Sequence, residues 1–452
     1  MKKQLKKFQI AGAEFLAKRS HALLADEMGL GKTVTAPAAA EKIGARDVLV
    51  VCPASVRTNW RQEVEECGLS LRLDLISYNQ AAAGWVPLLP QYDLCILDEA
   101  HFLKTPTSQR TQAIFGNGTG LARRAQRIWA LTGTPVLNRP RELFPLLATC
   151  ASKAIAPYNN WERFTQQYCG AFFDGRGMNT RGASNVADLR KRLEGFMLRR
   201  TKEEVLPELP PRIINRPPLN LSEKELAPVF AVEDEISNRE AYLSGTKEDY
   251  AQLGDLSRMR KAIGLAKAPA VAEFVDDLLE TLGENGKVVI FAHHRDVIKV
   301  LDKELGHYCP VIYAGGMSDE QKKRAVSEFV EQKNVQVFIG QIQAAGTGIN
   351  GLQGVSHTIV FGELSWVPGE MAQAIDRCHR IGQTASSVDV FLPHVPGTLE
   401  SAMLQVHARK QGVIDALVGA GPTAAGELDG AVADSDFGAA PLSPAEELNG
   451  IF

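Results

Sequence analysis

Short runs of apolar, often β-branched residues alternate along the chain with stretches whose apolar residues recur every three or four positions. Such alternation is typical of βα units, in which each strand of a parallel sheet is followed by a helix. In the first half the runs predict strands at Val48–Val51, Leu94–Leu97 and Ile128–Leu131. In the second half they predict strands at Val288–Phe291, Val311–Tyr313, Val335–Ile339, Thr358–Phe361 and Val388–Leu392. The chain is therefore predicted to be α/β, with two parallel-sheet lobes in tandem.

Residues 150–268 break this pattern. Aromatic, basic and glutamate-rich stretches dominate there, and Leu206–Pro218 contains five prolines. This composition favours a mainly helical insertion and a linker over sheet. Beyond it, the apolar residues of 271–282 recur with helical period until Asn285-Gly286 ends the pattern.

These changes of pattern predict the domain boundaries. We expect a first lobe over 1–200 with a helical insertion after about residue 150, a linker or helical protrusion over 201–268, a second lobe over 269–420 and a tail over 421–452. The length of 452 residues supports more than one domain, since a single core ordinarily serves roughly 100 to 200 residues.

Composition excludes several classes of protein. The hydrophobic fraction is 45% and the charged fraction 23%, as in soluble globular chains. No apolar run approaches the roughly 18 residues that span a bilayer, and no secretory signal is recognisable at the N-terminus. The seven cysteines are widely separated and include no C-x-x-C pair, which argues against a disulfide-stapled secreted domain and against an obvious zinc cluster. We therefore expect an intracellular protein that does not associate with membranes.

The net charge of −3 is unevenly distributed. Residues 421–452 contain six acids and no lysine or arginine, so that residues 1–420 carry a formal charge of +3. Such a charge neither demands nor excludes nucleic acid, because a local groove matters more than the total. The tail lacks an apolar period, and we predict it to be disordered. Its end, Glu446–Phe452, fits either a disordered terminus or a docking peptide for a protein partner.

The strongest local motif is A-D-E-M-G-L-G-K-T at Ala25–Thr33. It resembles the phosphate-binding loop G-x-x-x-x-G-K-[ST], with Asp26 at the position of the first glycine. Gly29 and Gly31 would let the backbone approach a phosphate, and a following helix would direct free N–H groups at the anion. Lys32 can reach the β- and γ-phosphates, and the hydroxyl of Thr33 can bind Mg²⁺. The alternative is a simple strand-to-helix turn.

Asp98-Glu99-Ala100-His101 directly follows the predicted strand Leu94–Leu97. An acid at the carboxyl end of such a strand, beside a phosphate loop, is positioned to hold the metal, which favours Asp98. Glu99 could orient and deprotonate the attacking water. Taken alone, the four residues also fit a solvated acidic turn.

Leu131-Thr132-Gly133-Thr134-Pro135 follows the next predicted strand. The hydroxyls of Thr132 and Thr134 could sense the state of the γ-phosphate through Asp98 or His101. The alternative is a turn built from threonine, glycine and proline.

A basic motif occupies Gln373–Gln383 in the second lobe. Arg377 and Arg380 are three residues apart, so on a helix they would share one face. Two guanidinium groups on one face suit a polyphosphate, and an arginine finger stabilises the charge that develops during phosphoryl transfer. An exposed basic helix is the alternative.

Together these motifs resemble those of the Swi/Snf group of superfamily-two helicase-like ATPases. The chain is similar to that group at Asp26–Thr33 (D-E-M-G-L-G-K-T), Asp98–His101 (D-E-A-H), Leu131–Pro135 (L-T-G-T-P), Ala345–Asn350 (motif V), Gln373–Gln383 (Q-A-x-D-R-x-H-R-I-G-Q), Leu5–Gln9 (Q-motif) and Met197–Lys202 (a basic segment). Phe361–Glu363 and the W-x-P-G of Trp366–Gly369 are nearest to the annealing-helicase-like branch.

The resemblance implies two RecA-like lobes with ATP and Mg²⁺ between them. It implies a nucleotide-binding loop over Met28, Gly29, Leu30, Gly31, Lys32 and Thr33, and adenine recognition by Gln9. Asp98 and Thr33 would hold the metal, Glu99 would activate water, and Arg377 and Arg380 would act as fingers. His101, Thr132, Thr134 and Gln373 would couple nucleotide state to movement.

Contacts to DNA are harder to assign. By the resemblance, Ser55 lies in motif Ia, Thr347 lies in motif V and Arg295 follows a strand end, so each is a candidate for a phosphate contact. Capping or packing is the alternative role of each.

The predicted function is that of an ATP-dependent translocase on double-stranded DNA, preferably duplex or forked, that remodels DNA structures or protein–DNA complexes in DNA repair or recombination. A strand-separating DNA or RNA helicase and an ATP-gated DNA clamp without turnover are the alternatives. We expect a monomeric motor in the cytoplasm or nucleoid of a bacterium, or in a virus-infected host, rather than in a nucleus.

Overall fold

The computed structural model describes residues 4–85, 89–116, 118–136, 139–173, 175, 177–235, 250–345 and 349–418. The side chain of Ser55 and those of a few residues near helix ends are outside this description. The chain divides into two compact units. The first contains the described residues 4–207 and 412–418, and the second contains Glu208–Gln411.

A parallel sheet forms the centre of the first unit. Its six strands in the described part of the chain are β1 (His21–Leu24), β2 (Asp47–Cys52), β3 (Arg72–Ser77), β4 (Tyr92–Asp98), β5 (Ala125–Leu131) and β8 (Met197–Leu198). They lie in the order β3-β2-β4-β5-β1-β8, and every pairing is parallel. A separate antiparallel hairpin joins β6 (Phe172–Phe173) and β7 (Met178–Asn179).

Helices connect and flank these strands. They are α1 (Lys7–Ala17), α2 (Lys32–Lys42), α3 (Arg57–Glu66), α4 (Tyr78–Ala82), α5 (Gln109–Phe115), α6 (Phe144–Cys150), α7 (Trp161–Tyr168), α8 (Val186–Leu193) and α9 (Lys202–Val205). Short 3₁₀ turns occupy Ala54–Val56, Ala100–Leu103, Leu121–Arg124 and Pro140–Leu143.

Both faces of the first sheet are buried. In β2, Leu49 and Val51 belong to one apolar cluster, whereas Val48 and Val50 belong to another on the opposite face. Side chains alternate across a strand, so a strand covered on both faces reads as a continuous apolar run. This burial explains why Val48–Val51 was easily recognised, and it holds the carboxyl ends of the strands rigidly at one edge.

The second unit contains a parallel sheet of the same kind. Its strands are β9 (Arg212–Asn215), β10 (Val288–Ala292), β11 (Val311–Tyr313), β12 (Val337–Gln341), β13 (Thr358–Phe361) and β14 (Val388–Phe391). Within the described residues their order is β11-β12-β10-β13-β14-β9, and every pairing is parallel. In β10, Val289 and Phe291 face one cluster while Val288 and Ile290 face the other.

The helices of the second unit are α10 (Glu223–Glu235), α11 (Tyr250–Leu282), α12 (Arg295–Glu304), α13 (Asp319–Glu331), α14 (Ile342–Ala345), α15 (Pro368–Ile375) and α16 (Leu399–Val418), of which α16 continues past Gln411. Short 3₁₀ turns lie at Gly306–Tyr308 and Leu352–Gly354.

The predicted fold class, two parallel-sheet α/β lobes with a largely helical segment between the two sets of recognised strands, is confirmed. The expectation of a helical insertion and a linker rather than sheet within 150–268 was wrong at four short strands in the described residues, two of which form the hairpin β6-β7. Met197–Leu198 extends the first sheet beside β1, and Arg212–Asn215 extends the second beside β14. Both are edge strands, and prolines around Arg212–Asn215 are tolerated because an edge strand has one unpaired side. The strands His21–Leu24 and Arg72–Ser77 were also missed, the second because its apolar residues are interrupted by Asp74.

Two further findings bear on the expectations. None of the helices in the described part of the chain is both long and apolar enough to cross a membrane. The acidic segment 421–452, predicted to be disordered, lies outside the described residues.

Candidate nucleotide-binding site

The loop between β1 and α2 has the conformation that its glycines allow. Gly29 has φ 83° and Gly31 has φ 77°, in the left-handed region that favours glycine. Gly31 caps α2, so the free N–H groups of the helix begin at Lys32. A Cβ atom on Gly31 would lie 2.5 Å from Nε2 of Gln9, so a side chain at this position would also clash with Gln9. The result is a loop and a helix terminus suited to an anion.

Lys32 is buried within this loop, with 9% of its surface exposed. Its Nζ donates to the carbonyl oxygens of Asp26 at 2.6 Å and Glu27 at 3.2 Å. Burial lowers the pKa of the ammonium, while the carboxylates of Glu99, Asp26 and Asp98 oppose that shift. Two of the three ammonium donors are engaged by the loop itself, which leaves the third for a phosphate oxygen.

Asp98 ends β4 and is also buried. Its Oδ2 accepts a hydrogen bond from the indole Nε1 of Trp60 at 2.8 Å, and its Oδ1 accepts one from the backbone N–H of Glu99 at 3.0 Å. The hydroxyl of Tyr78 donates to the Asp98 carbonyl at 2.7 Å. Burial and the neighbouring Glu99 raise the pKa of the Asp98 carboxyl to about 6. The carboxylate of Asp98 is thus buried, oriented by two hydrogen bonds and suited to bind a cation.

Glu99 has a left-handed backbone, with φ 52° and ψ 50°, which is uncommon for a residue with a side chain. Its carbonyl accepts the N–H of Phe102 at 3.0 Å, which closes the 3₁₀ turn Ala100–Leu103. Its Oε2 lies 3.2 Å from Nδ1 of His101. The turn therefore places the carboxylate of Glu99 beside His101, directly after the metal candidate Asp98.

The threonine motif Leu131–Pro135 contacts both the turn that carries His101 and the phosphate loop. Oγ1 of Thr132 is 3.0 Å from Nδ1 of His101, and it accepts the N–H of Thr134 at 3.2 Å. Gly133 lies against the phosphate loop, since a Cβ atom there would come within 2.1 Å of Cγ of Met28. The structure thus brings together three of the four residues that were expected to couple nucleotide state to movement.

The basic segment after β8, residues 199–202, is hydrogen-bonded to the phosphate loop. Arg200 forms a two-pronged ion pair with Asp26, in which Nε donates to Oδ1 at 2.9 Å and Nη2 donates to Oδ2. Nη1 of Arg200 also donates to the carbonyl of Phe8 at 2.5 Å. Asp26, at the position of the first glycine of the loop, is only 2% exposed, and its carboxylate therefore anchors the loop structurally.

Its neighbours reinforce this anchor. Nη1 of Arg199 donates to the carbonyl oxygens of Ala25 at 2.9 Å and Gly133 at 3.1 Å. The backbone N–H of Lys202 donates to Oε2 of Glu27 at 2.6 Å. The phosphate loop is thus tied to a segment about 170 residues away in sequence.

Gln9, expected to contact adenine, lies at the same loop. Its Nε2 donates to the carbonyl of Leu30 at 3.1 Å, and its Oε1 accepts the N–H of Lys6 at 3.0 Å. Its amide therefore braces the loop, and recognition of a base by Gln9 stays a prediction.

The predicted arginines belong to the second unit. The helix α15 ends at Ile375, so Arg377 and Arg380 lie in the turns that follow and not on a helix as expected. They nevertheless converge, because Nη1 of each reaches the carbonyl of Ile349, at 3.4 and 3.5 Å. Burial, together with the charge of Arg377, lowers the pKa of Arg380 to about 10. Gln373 is buried in α15.

Two of the three expected DNA contacts fall wholly or partly outside the described residues. The backbone of Ser55 lies in the 3₁₀ turn Ala54–Val56, but its side chain is outside the description, as is Thr347 altogether. Arg295 is exposed at the start of α12, where its guanidinium donates to the carbonyl of Gly315. These three assignments stay predictions.

The donor set fits a magnesium nucleotide. Among the described residues no group of three or more His, Cys, Asp or Glu side chains could hold a metal by itself. Mg²⁺ does not require one, because it ordinarily binds one or two carboxylates, substrate phosphates and water. Asp98 and Thr33 with a phosphate loop match that mode of binding.

Sequence reasoning missed Tyr78 and did not anticipate the contacts of Trp60 or of Arg199 and Arg200, which lie in the recognised basic segment Met197–Lys202. Trp60 is wholly buried in the core, and its indole also orients Asp98. These contacts join positions 20 to 174 residues apart, and no local pattern indicates them.

Comparisons with known proteins agree with these motifs. The SNF2-related domain matches residues 8–85 and 89–258, and the helicase conserved C-terminal domain matches residues 270–382. The DNA annealing helicase and endonuclease ZRANB3 of Mus musculus is 32% identical over 91% of this chain and 40% of its own length. The SWI/SNF-related matrix-associated actin-dependent regulator of chromatin subfamily A-like protein 1 of Bos taurus is 32% identical over 87% of this chain and 42% of its own.

A solved structure, the Sulfolobus solfataricus SWI2/SNF2 ATPase core in complex with dsDNA, is similar with a TM-score of 0.41, 22% identity and 92% coverage of each chain. The chain spans about 40% of the length of the curated relatives named above. Those relatives are animal proteins, so they give no support to the expected bacterial or viral location.

Proposed function

This chain belongs to the SNF2-related family of helicase-like ATPases, and from that premise we propose that it is an ATP-dependent translocase on double-stranded DNA. The observation that carries the proposal is the arrangement in the first unit. A buried lysine in a phosphate loop, a buried aspartate and a glutamate in a strained turn lie on elements of one sheet. That set suits hydrolysis of a nucleoside triphosphate.

Each residue of the set has a role in the proposed reaction. Lys32 and the N-terminus of α2 bind the phosphates, and Gln9 supports the loop and contacts the base. Thr33 and Asp98 would hold Mg²⁺, which would supply neutralisation of the phosphate charge. Glu99 accepts a proton from the attacking water, and His101 holds its carboxylate in place.

Five further residues complete the proposal. Thr132, Thr134 and Gln373 report nucleotide state to the rest of the motor. Arg377 and Arg380 are proposed as arginine fingers, a role that rests on the motif in which they lie. Two converging guanidinium groups support it, since such a pair suits the charge of a transferring phosphoryl group.

The proposed substrate is the backbone of duplex or forked DNA. The relatives are named as a DNA annealing helicase and as a regulator of chromatin, which supports a role in remodelling DNA structures or protein–DNA complexes. Contacts to phosphates carry no base sequence, so we expect weak sequence specificity. Repair or recombination, a monomeric motor and a protein partner for the segment after residue 420 belong to the same proposal.

The test compares nucleic acids. ATP hydrolysis by the purified chain is measured alone and with single-stranded DNA, duplex DNA, forked DNA and duplex RNA at one low salt concentration. Strong stimulation by duplex or forked DNA is expected, and Lys32→Ala serves as the inactive control. Stimulation only by single strands or by RNA would favour a strand-separating helicase. No turnover with any of them would favour an ATP-gated clamp.

The arginine assignment has its own test. Arg380→Gln should lower kcat about a thousandfold, as loss of an arginine finger does, with little change in the KM for ATP. Arg324→Gln removes an exposed cation of the same unit that has no assigned role, and it should keep the kcat for saturating ATP and DNA. A rise in KM at unchanged kcat for Arg380→Gln would contradict the assignment.

A further inference from the structure

A hollow of about 530 Å³ lies in the first unit, next to the turn that carries Glu99. It is bounded by α4, by the end of the 3₁₀ turn Ala100–Leu103 and by the start of α5. No residue of the predicted site lines it. None of the recognised motifs lines the hollow, so it is a feature of the folded chain alone.

The lining suits a phosphodiester. It includes the cations Lys104 and Arg110 and the neutral hydrogen-bonding residues Asn79, Thr105 and Ser108, and none of the described residues that line it is acidic. Lysine, arginine, serine, threonine and asparagine are the side chains that contact DNA phosphates in protein–DNA complexes. The remaining wall consists of Gln109, two alanines and Phe102, and its apolar part would accept the sugar face.

Phe102 joins the hollow to the catalytic turn. On one side the guanidinium of Arg110 lies 5.7 Å from the centre of the Phe102 ring, within the range of a cation–π contact. On the other, Phe102 stacks on His101 at 4.8 Å and on Tyr78 at 5.5 Å between ring centres. One ring therefore contacts both a lining cation and two residues of the nucleotide site.

Phe102, His101 and Tyr78 each contact Glu99 or Asp98. The N–H of Phe102 donates to the carbonyl of Glu99, and His101 lies 3.2 Å from the Glu99 carboxylate. The hydroxyl of Tyr78 donates to the carbonyl of Asp98. Phe102 thus belongs to the same turn that holds Glu99 in its left-handed conformation, and its N–H is bonded to the backbone of Glu99.

We propose that this hollow binds the phosphodiester backbone of duplex DNA and that Phe102 transmits its occupancy to Glu99, so that bound DNA accelerates ATP hydrolysis. The inference rests on the proposed function, because it explains how DNA would stimulate the enzyme. Lys104 and Arg110 bind the backbone, and Phe102 is a positioning residue.

The binding half is tested by salt dependence. The slope of log affinity against log salt is about −0.9 for each phosphate neutralised, so Lys104→Gln with Arg110→Gln should make the slope for duplex DNA less steep by about 1.8. Between 50 and 200 mM salt, the unsubstituted protein should then lose about twelvefold more affinity than the double variant. Lys104→Gln alone should change the slope by about half as much.

The control removes two exposed cations of the same unit that lie away from the hollow, Lys153→Gln with Arg163→Gln. Its slope should equal that of the unsubstituted protein. An unchanged slope in the double variant of Lys104 and Arg110 would overturn the inference. A changed slope with duplex RNA but not with duplex DNA would assign the hollow to RNA and would also overturn it.

The coupling half is tested at Phe102. Phe102→Leu should bind duplex DNA with the original slope but lose most of the DNA-stimulated increase in hydrolysis. Phe102→Tyr keeps the ring and should retain that increase, while the unchanged salt slope of Phe102→Leu separates a loss of transmission from general damage to the fold. Full stimulation of Phe102→Leu, or equal loss in both variants, would contradict the transmission through the ring.

The two levels of proposal fail differently. If duplex DNA does not stimulate the unsubstituted protein, the proposed function fails. If it does, while the Lys104 and Arg110 variant keeps its salt slope, the function stands and only this inference fails.

Discussion

Replacing Arg200 by methionine tests whether the ion pair behind the phosphate loop stabilises the first unit. The side chain of Asp26 is 2% exposed and that of Arg200 is 14% exposed. Methionine removes both hydrogen bonds to the carboxylate and the bond to the carbonyl of Phe8, and leaves the carboxylate buried. Removing one partner of a fully buried pair costs about 3 to 5 kcal/mol. Because Arg200 is partly solvated, we expect about 3 kcal/mol.

Tryptophan fluorescence during urea unfolding of the full chain measures this loss. Of the five tryptophans, Trp60, Trp85, Trp129 and Trp161 lie in the first unit, so fluorescence reports mainly that unit. The free energy of unfolding follows from the midpoint and the slope. Asp26→Asn and the double variant complete a double-mutant cycle. The stability losses of the two single variants, added together, should exceed the loss of the double variant by at least about 1 kcal/mol.

Arg72→Met is the matched control, since Arg72 pairs with Asp47 in the same unit but is 67% exposed. Exposed pairs contribute about 0 to 1 kcal/mol, so its midpoint should barely move. If Arg200→Met lost no more stability than Arg72→Met, the pair would not be the anchor of the loop.

Three further predictions concern single positions. Glu99→Gln should lower kcat for ATP at least a hundredfold, the usual contribution of a general base, with ATP binding retained; near-normal turnover would rule Glu99 out. Gly133→Ala should raise the KM for ATP and cost about 1 to 3 kcal/mol, because its methyl group would meet Cγ of Met28 at 2.1 Å, and an unchanged KM would contradict that contact. Burial lowers the pKa of His407 to about 4 from 6.5, so its contribution to stability is lost as pH falls from 6.5 towards 4. Between pH 7 and pH 5 the loss should be about 2 kcal/mol, and thermal unfolding at both pH values should show a smaller loss for His407→Gln.

The sequence predicted most of the fold because a parallel sheet buries both faces of its central strands. Val48–Val51 and Val288–Phe291 are continuous apolar runs for that reason, and both were located within one or two residues of their observed ends. Edge strands do not have this property. Arg212–Asn215 is flanked by prolines and polar residues, so no apolar run marks it.

Within the site, the predictable part was local. The phosphate loop and the turn at Asp98–Glu99 are short motifs whose chemistry is visible in neighbouring letters. The partners of these residues are distant, as Trp60 is from Asp98 and Arg200 is from Asp26. The stack of Phe102 between Arg110 and His101 likewise depends on how α5 packs, which no spacing in the sequence determines.

The attachment of the phosphate loop to residues 197–202 has a consequence for how the chain folds during synthesis. Until those residues emerge from the ribosome, β1 has no partner on one side and Asp26 has no counter-charge. Contacts between positions so far apart form slowly, because a long loop must close before they contribute. The strand β1 and the first helices are thus synthesised well over a hundred residues before β8, which pairs with β1. Nascent chains shorter than about 200 residues should consequently be unable to retain nucleotide, and they should expose an unpaired strand edge to chaperones or to aggregation.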